Sequence, residues 1–164
     1  MTRVCLLVMI GWSILAFQGN AAGFAGVRLV VFRVADLVFA VEAAVVKEIL
    51  PKQRATRIPG ANEAVEGLIN VRGRMLTLAN ARRALNFPPG EVDGPIMLLD
   101  VGDQTAGLAV DDVIDLFSVA YDELAERDDL PGIDPALVRS VGRQAGVSFV
   151  LLDIEALLGP ILFV

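Results

Sequence analysis

The sequence predicts a mainly β protein: two five-stranded barrel lobes of the SH3/OB-like kind, related by internal duplication and carrying short helices. Three observations carry that reading. Short β-branched and aromatic runs alternate with tight two-residue turns, the order of elements occurs twice along the chain, and each copy ends in an Asn or Asp placed to cap a short helix. A chain of 164 residues suits one domain or two small lobes sharing a core.

The first copy begins with Val27–Val34 and Leu37–Val41, joined at Ala35-Asp36, which reads as a hairpin. Glu42–Leu50 follows with Val45, Val46, Ile49 and Leu50 at helical spacing, so a helix is expected there, stopped by Pro51. Glu66–Leu78 reads as strand, turn and strand, and Asn80 caps a short helix over Ala81–Leu85. Phe87-Pro88-Pro89-Gly90 is the linker. The second copy repeats the plan. Ile96–Val101, the Gly102-Asp103 turn and Ala106–Val110 match the first hairpin, Asp111–Phe117 matches the expected helix, and Val138–Leu152 with Asp153–Leu158 matches the rest. Tyr121–Pro135, acidic and carrying Pro131-Gly132, is expected to be a long loop beginning with a helical turn. The expected organisation is an apolar extension at 1–26, a duplicated domain at 27–158 with lobes at about 27–87 and 95–158, and an apolar tail at 159–164.

Composition narrows the chemistry. There is no histidine and Cys5 is the only cysteine, so disulfide frameworks, Cys/His zinc sites and histidine-dependent hydrolases are excluded. Asp111, Asp112 and Asp115 are the densest carboxylates, but nothing nearby completes an acid–base or metal site. Acids at the start of a helix account for them through the helix dipole. Gly19, Gly23 and Gly26 lack phosphate-loop or dinucleotide spacing. No catalytic residue, metal or cofactor is expected. The apolar fraction, 55%, implies either very complete burial or surface offered to partners. Residues 1–90 carry a net charge of +6 and residues 91–164 one of −12, a division that suits a protein partner better than nucleic acid.

The stretch Glu66–Leu78 (EGLINVRGRMLTL) holds the sharpest signal, because a strand pair is interrupted by Asn70, Arg72, Gly73 and Arg74. Arg72 and Arg74 in a barrel turn are able to hold phosphate, but aromatic residues make up only 6% of the chain, which leaves few platforms for stacking bases. Glu48 and Arg72 read as the charges most deeply set in apolar sequence. Paired, they would fix the Arg72 loop against the first expected helix.

At these residues the chain resembles the CheW family of chemotaxis coupling proteins. The resemblance runs from about Val27 to Leu158, in order: the first hairpin, Val46-Lys47-Glu48-Ile49, Ile58-Pro59-Gly60-Ala61, Gly67-x-x-Asn70-x-Arg72-Gly73, Gly107-Leu108-Ala109-Val110-Asp111 with Val113 and Leu116, and Leu151-Leu152-Asp153 with Leu157-Leu158. It implies two packed five-stranded barrels and a non-enzymatic adaptor. Such an adaptor joins the cytoplasmic tip of chemoreceptors to the regulatory domain of a CheA-type histidine kinase, in swimming or surface motility. By position, Val46, Glu48, Gly67, Arg72, Gly107, Val113 and Leu116 would lie at or support the partner-facing surfaces, with Asn70 and Gly73 building the loop that holds Arg72. A receptor hairpin docked between the lobes would use the apolar surplus. The chain departs from the family at Thr77 (usually proline), Asn80 (usually aspartate), Ala81 (often leucine) and Asn62 (usually proline), and Thr77 with Ala81 are expected to loosen the first lobe.

The competing readings are a small barrel that binds nucleic acid and a CheW-like scaffold with a partner outside chemotaxis. Val4–Phe17 is an apolar run of signal-peptide length, short for a membrane span. Because a coupling protein meets its partners in the cytoplasm, an extension from an upstream start site, or a segment without function, is preferred to a true signal. The expected location is the cytoplasm, at receptor arrays on the inner membrane, with no direct membrane role.

Overall fold

Gly26–Val34 (β1) and Leu37–Glu42 (β2) form the first hairpin, paired from Leu29↔Glu42 to Val34↔Leu37, with Ala35 at φ 53° in the turn. The computed structural model describes residues 25–88, 90–126 and 130–162, so the apolar run Val4–Phe17 and Cys5 lie outside the described residues. After a 3-10 turn at Ala43–Val45 come Val46–Leu50 (β3), Val65–Val71 (β4), Arg74–Asn80 (β5) and the short helix Ala81–Ala84 (α1). The second half supplies Ile96–Val101 (β6), Gln104–Ala109 (β7) and Asp112–Ala120 (β8), then Leu124–Ala125 (β9) between 3-10 turns at Tyr121–Glu123 and Pro135–Leu137. Val138–Gln144 (β10), Val147–Leu152 (β11) and the helix Ile154–Leu162 (α2) complete it, so residues 159–162 of the expected tail belong to α2, the rest lying outside the described residues.

Two expected helices are strands. Glu42–Leu50 forms a single 3-10 turn and then β3, and Asp111–Phe117 lies largely in β8. The reason is a β-bulge in each. On β3, Val46 pairs with Leu99 and Glu48 with Leu98, leaving Lys47 as the extra residue; on β8, Val113 pairs with Phe32 and Asp115 with Val31, leaving Ile114 extra. One inserted residue turns the strand period of two into a local spacing of three, which imitates a helix. The β-branched content (Val45, Val46, Ile49; Val113, Ile114) favours the strand. Asp111 and its neighbours therefore do not complement a helix dipole.

The duplication is present, but the sheets are assembled across it. The first sheet runs β8-β1-β2-β11-β10-β9 and the second β3-β6-β7-β5-β4. With β6, β7, β8, β10 and β11 taken as the second copies of β1 to β5, both sheets have one order: the third strand, first, second, fifth and fourth. In each, the first two strands come from one half of the chain and the other three from the other half. The parallel pairs that join the halves also correspond, with Val150↔Phe39 and Leu151↔Ala40 in one sheet and Leu78↔Gly107 and Ala79↔Leu108 in the other. Neither sheet closes into a complete hydrogen-bonded barrel, and β3 and β4 remain as the edges of the second.

This arrangement buries both faces of β1 and β6 along most of their length. Val30, Phe32 and Val34 on β1 enter the central cluster between the sheets, while Leu29 and Val31 enter a second cluster with Phe117 and Phe149. On β6, Met97, Leu99 and Val101 face the central cluster, and Ile96 and Leu98 join Ile69 and Leu78 in a third. Continuous apolar runs such as Leu29–Phe32 and Ile96–Leu99 are what such strands require. The high apolar fraction is thus largely absorbed inside: among the described residues, the large apolar side chains left exposed are Leu37, Ile58, Met75, Ile114 and Tyr121.

Both expected caps form. Asn80 Oδ1 accepts the Arg83 N–H at 3.3 Å and Asp153 Oδ1 accepts the Ala156 N–H at 3.1 Å. Asn80 is 2% exposed, and its Nδ2 donates to Glu66 Oε1 at 2.7 Å. An amide both accepts and donates here, whereas an ionised aspartate would cap the helix but face the Glu66 carboxylate without a proton to share. Asn80→Asp is therefore expected to destabilise the fold by about 1–3 kcal/mol at pH 7. Urea unfolding beside the unmutated chain measures it, and an unchanged midpoint would rule out the repulsion. Ala81, where the family often has leucine, is fully buried in the central cluster.

Candidate functional site

The interrupted hairpin at Asn70–Arg74 is a two-residue turn. Asn70 pairs with Met75 and Val71 with Arg74, so Arg72 and Gly73 alone form the loop, at φ 50° and 81°. Two consecutive left-handed residues are the signature of a type I′ turn, whose twist matches that of the strands. Asn70 Oδ1 accepts the Gly73 N–H at 2.9 Å and ties the base of the turn. The hairpin therefore aims Arg72 out from its tip.

There the guanidinium meets Glu48. Nη1 donates to Glu48 Oε2 at 2.8 Å and Nη2 donates to Oε1, a bidentate grip. Because Glu48 lies on β3 and Arg72 follows β4, the pair spans the two edges that the second sheet leaves unjoined. Leu50 on β3 packs on the cluster that holds Ile69 and Val71 of β4, beneath that link. The pairing inferred from sequence is present, but its setting differs: the partner element is a strand, and the Arg72 side chain is 73% exposed, that of Glu48 28%. Their apolar neighbours point inward while the charges point out. The hydrogen bond to Glu48 raises the Arg72 pKa above its ordinary value. So exposed a pair lends direction and specificity rather than stability. Beside it on the same edge, the bulge residue Lys47 reaches Asp100 and Thr105, each at 3.1 Å.

The other expected residues divide into support and surface. Val46 and Val113 are buried in the central cluster, and Leu116 packs against it half-buried. Gly67 and Gly107 are sites of close packing. A Cβ on Gly67 would lie 2.1 Å from the Thr56 carbonyl oxygen, and one on Gly107 would meet Ile96 Cγ2 and Leu78 Cδ1 at 3.0 Å. Glu48 on one edge of the second sheet and Asn70, Arg72 and Gly73 on the hairpin at the other are brought together by the ion pair, whereas Val113 and Leu116 belong to β8 of the first sheet. The nine residues thus divide into a charged hairpin link, positions of close backbone packing and apolar core positions, and not one surface site.

Sequence reasoning missed a clasp between the lobes. Asp111 Oδ2 accepts the Ala35 N–H from the β1–β2 turn and is held by Arg82 of α1, with Nε and Nη2 each at 3.1 Å. Its side chain is 11% exposed and that of Arg82 26%. An Asp after the run Gly107–Val110 was visible, but its partners lie on elements remote in sequence. A second feature unread in the sequence is an open cleft of about 850 Å³ between the Arg57–Glu63 loop and the end of α1, lined also by Arg83 and Phe87.

Comparison with known proteins bears directly on this geometry. The description of one family, the CheW-like domain, matches residues 28–160. The chemotaxis protein CheW of Bacillus subtilis (strain 168) is 31% identical over 101 residues, which cover 60% of this chain and 65% of that protein. The chemotaxis protein CheW of Rhizobium meliloti (strain 1021) is 29% identical over 134 residues, 80% of this chain and 86% of that one. The crystal structure of the scaffolding protein TtCheW from Thermoanaerobacter tengcongensis superposes with a TM-score of 0.75 at 22% identity, covering 80% of this chain and 92% of its own. The two cross-assembled sheets are therefore a shared architecture, and the family match takes in every described strand but the first two residues of β1: the chain belongs to the CheW-like domain family.

Proposed function

We propose that the chain is a non-enzymatic chemosensory adaptor that couples chemoreceptors to a CheA-type histidine kinase, working in the cytoplasm at receptor arrays. The observation that carries this reading is the Arg72–Glu48 link, an exposed and geometrically fixed charge pair at the tip of a type I′ hairpin, in a chain of the CheW-like family. A rigid hairpin tip with a pre-oriented guanidinium presents a defined surface at little entropic cost. The nucleic-acid reading loses its main ligand, since Arg72 is already gripped by a carboxylate. Among the described residues no helix is long and apolar enough to cross a membrane.

The test is calorimetric titration of the full chain against the regulatory domain of a CheA-type kinase from the same genome, repeated with Arg72→Ala. Micromolar or tighter binding is expected, weakened about tenfold or more by the substitution. Unchanged binding would move Arg72 from the kinase contact to the receptor contact. Absence of binding by the folded, unmutated chain to both kinase and receptor tip would overturn the adaptor reading.

A further inference from the structure

The four sheet edges differ in how they are protected. In the second sheet the outer side of β4 is covered by the bridge to Thr56, and β3 is five residues long, with a charged bulge at Lys47 and the Arg72 link across it. In the first sheet β9 has only two residues. The opposite edge, β8, is nine residues long, equal to β1, and no described strand lies beyond it. Its bulge interrupts one end only, and from Asp115 to Ala120 the ladder with β1 is regular. It carries neither lysine nor proline, and Ile114 and Tyr121, toward its two ends, are exposed. A long edge of this kind is ordinarily blunted by such residues or covered.

The chain outside the described residues leaves beside this edge. β1 begins at Gly26, opposite Ala120, and its residues Gly26–Arg28 pair with β8 before β2 is reached at Leu29. Residues 1–24 therefore join the sheet one strand away from its free edge. Eight residues, Gln18–Ala25, separate the apolar run Val4–Phe17 from Gly26, and they include Gly19, Asn20 and Gly23. They reach up to about 27 Å, whereas crossing β8 takes about 10 Å, two strand spacings. Extended, the run would measure about 46 Å against about 30 Å for β8, so it is long enough to line the edge. As a helix it would measure about 21 Å, short of the ~30 Å core of a membrane. Val4, Val8, Ile10, Trp12, Ile14 and Phe17 suit a strand.

We infer that the Val4–Phe17 run adds to the first sheet as a strand on the free edge of β8, an intramolecular cover. Gln18–Ala25 crosses β8 to enter β1, and β1 is antiparallel to β8. The added strand therefore runs parallel to β8, with Phe17 toward Ala120 and Cys5 toward Asp112. It pairs the outward backbone groups of Asp115–Ala120, shields Ile114 and withdraws the run itself from water. Covered in this way, the edge is closed to other chains until the segment is displaced. The inference concerns the chain alone and is independent of the adaptor reading.

The single cysteine supplies the probe. A nitroxide on Cys5 of the full, isotopically labelled chain should broaden the amide signals of β8, most strongly at the Asp112 end, and leave the Arg72-Gly73 turn sharp. Amide hydrogen exchange along β8 should be about tenfold slower or more than in the double variant Val8→Asp with Ile10→Asp, which displaces the segment. Exchange at the buried Phe39 and Leu99 should be the same in both, showing that the variant stays folded. Broadening confined to the neighbours of Gly26 would overturn the inference, as would β8 exchange unaffected by the double substitution. A second sample mixes nitroxide-bearing chain of natural isotopic abundance with isotopically labelled Cys5→Ser chain. Broadening of β8 there would mean that the cover comes from a second copy, and the intramolecular strand fails. If the full chain sediments with phosphatidylcholine vesicles and shows no β8 broadening without them, the run belongs to a lipid surface and the inference fails as well.

Discussion

Asp111→Ala is expected to lower the unfolding free energy by about 2–4 kcal/mol, read as a fall in the urea midpoint with an unchanged slope. The substitution leaves two groups without their acceptor. The Ala35 N–H is fixed in a left-handed turn that cannot turn toward another oxygen, and the Arg82 guanidinium is only 26% exposed. A buried donor or charge stranded in this way costs more than the net worth of the bond that held it. Asp111→Asn should cost roughly half as much, because the amide oxygen still accepts from Ala35 while the charge opposite Arg82 is lost. In a double-mutant cycle, Arg82→Met should cost less in the Asp111→Ala background than alone, since that background has already removed its partner. Additive losses would show that Arg82 and Asp111 act separately and that the clasp between the β1–β2 turn and α1 is not one unit.

That clasp also marks the limit of what the sequence discloses. The hairpins were legible because their turns are local: Ala35-Asp36, Gly102-Asp103 and Arg72-Gly73 each lie between runs of strand formers. The duplication was legible because order along the chain is preserved. Which strand neighbours which was not, because alternation reports the face that a residue occupies and not the strand beside it. Nothing in Val147–Leu152 says that it will pair with β2 rather than β7. The two bulges misled for a definite reason, since one extra residue at Lys47 or Ile114 changes the apolar spacing locally to that of a helix. The Glu48–Arg72 pair was read correctly as a pair and wrongly as embedded, because strands buried on one or both faces surround outward-pointing charges with apolar neighbours in the sequence.

The same comparison of roles bears on Gly67, which the family resemblance places among the partner-facing or supporting residues. Gly67→Ala is expected to destabilise the fold by about 2–4 kcal/mol, lowering the thermal midpoint by roughly 5–15 °C. Two effects combine. The backbone stands at φ 149°, where a side chain is strained, and the added Cβ would lie 2.1 Å from the Thr56 carbonyl oxygen. Relief requires the loop at Thr56 to withdraw, which breaks the reciprocal bonds of its isolated bridge, from Thr56 N–H to the Leu68 carbonyl and from Leu68 N–H to the Thr56 carbonyl, each 2.8 Å. Those bonds are what cover the outer edge of β4, and β4 carries the hairpin that aims Arg72 at Glu48. Loss of partner binding in Gly67→Ala would then follow from unfolding or from a displaced hairpin, not from a missing contact. The discriminating measurement is affinity well below the thermal midpoint, corrected for the folded fraction. If Gly67 only supports the edge, the folded variant should bind within about threefold of the unmutated chain, a difference of roughly 0.7 kcal/mol. A tenfold weaker affinity at full occupancy of the folded state would instead make the Gly67 backbone part of the interface, because a methyl group there would be clashing with the partner and not with Thr56.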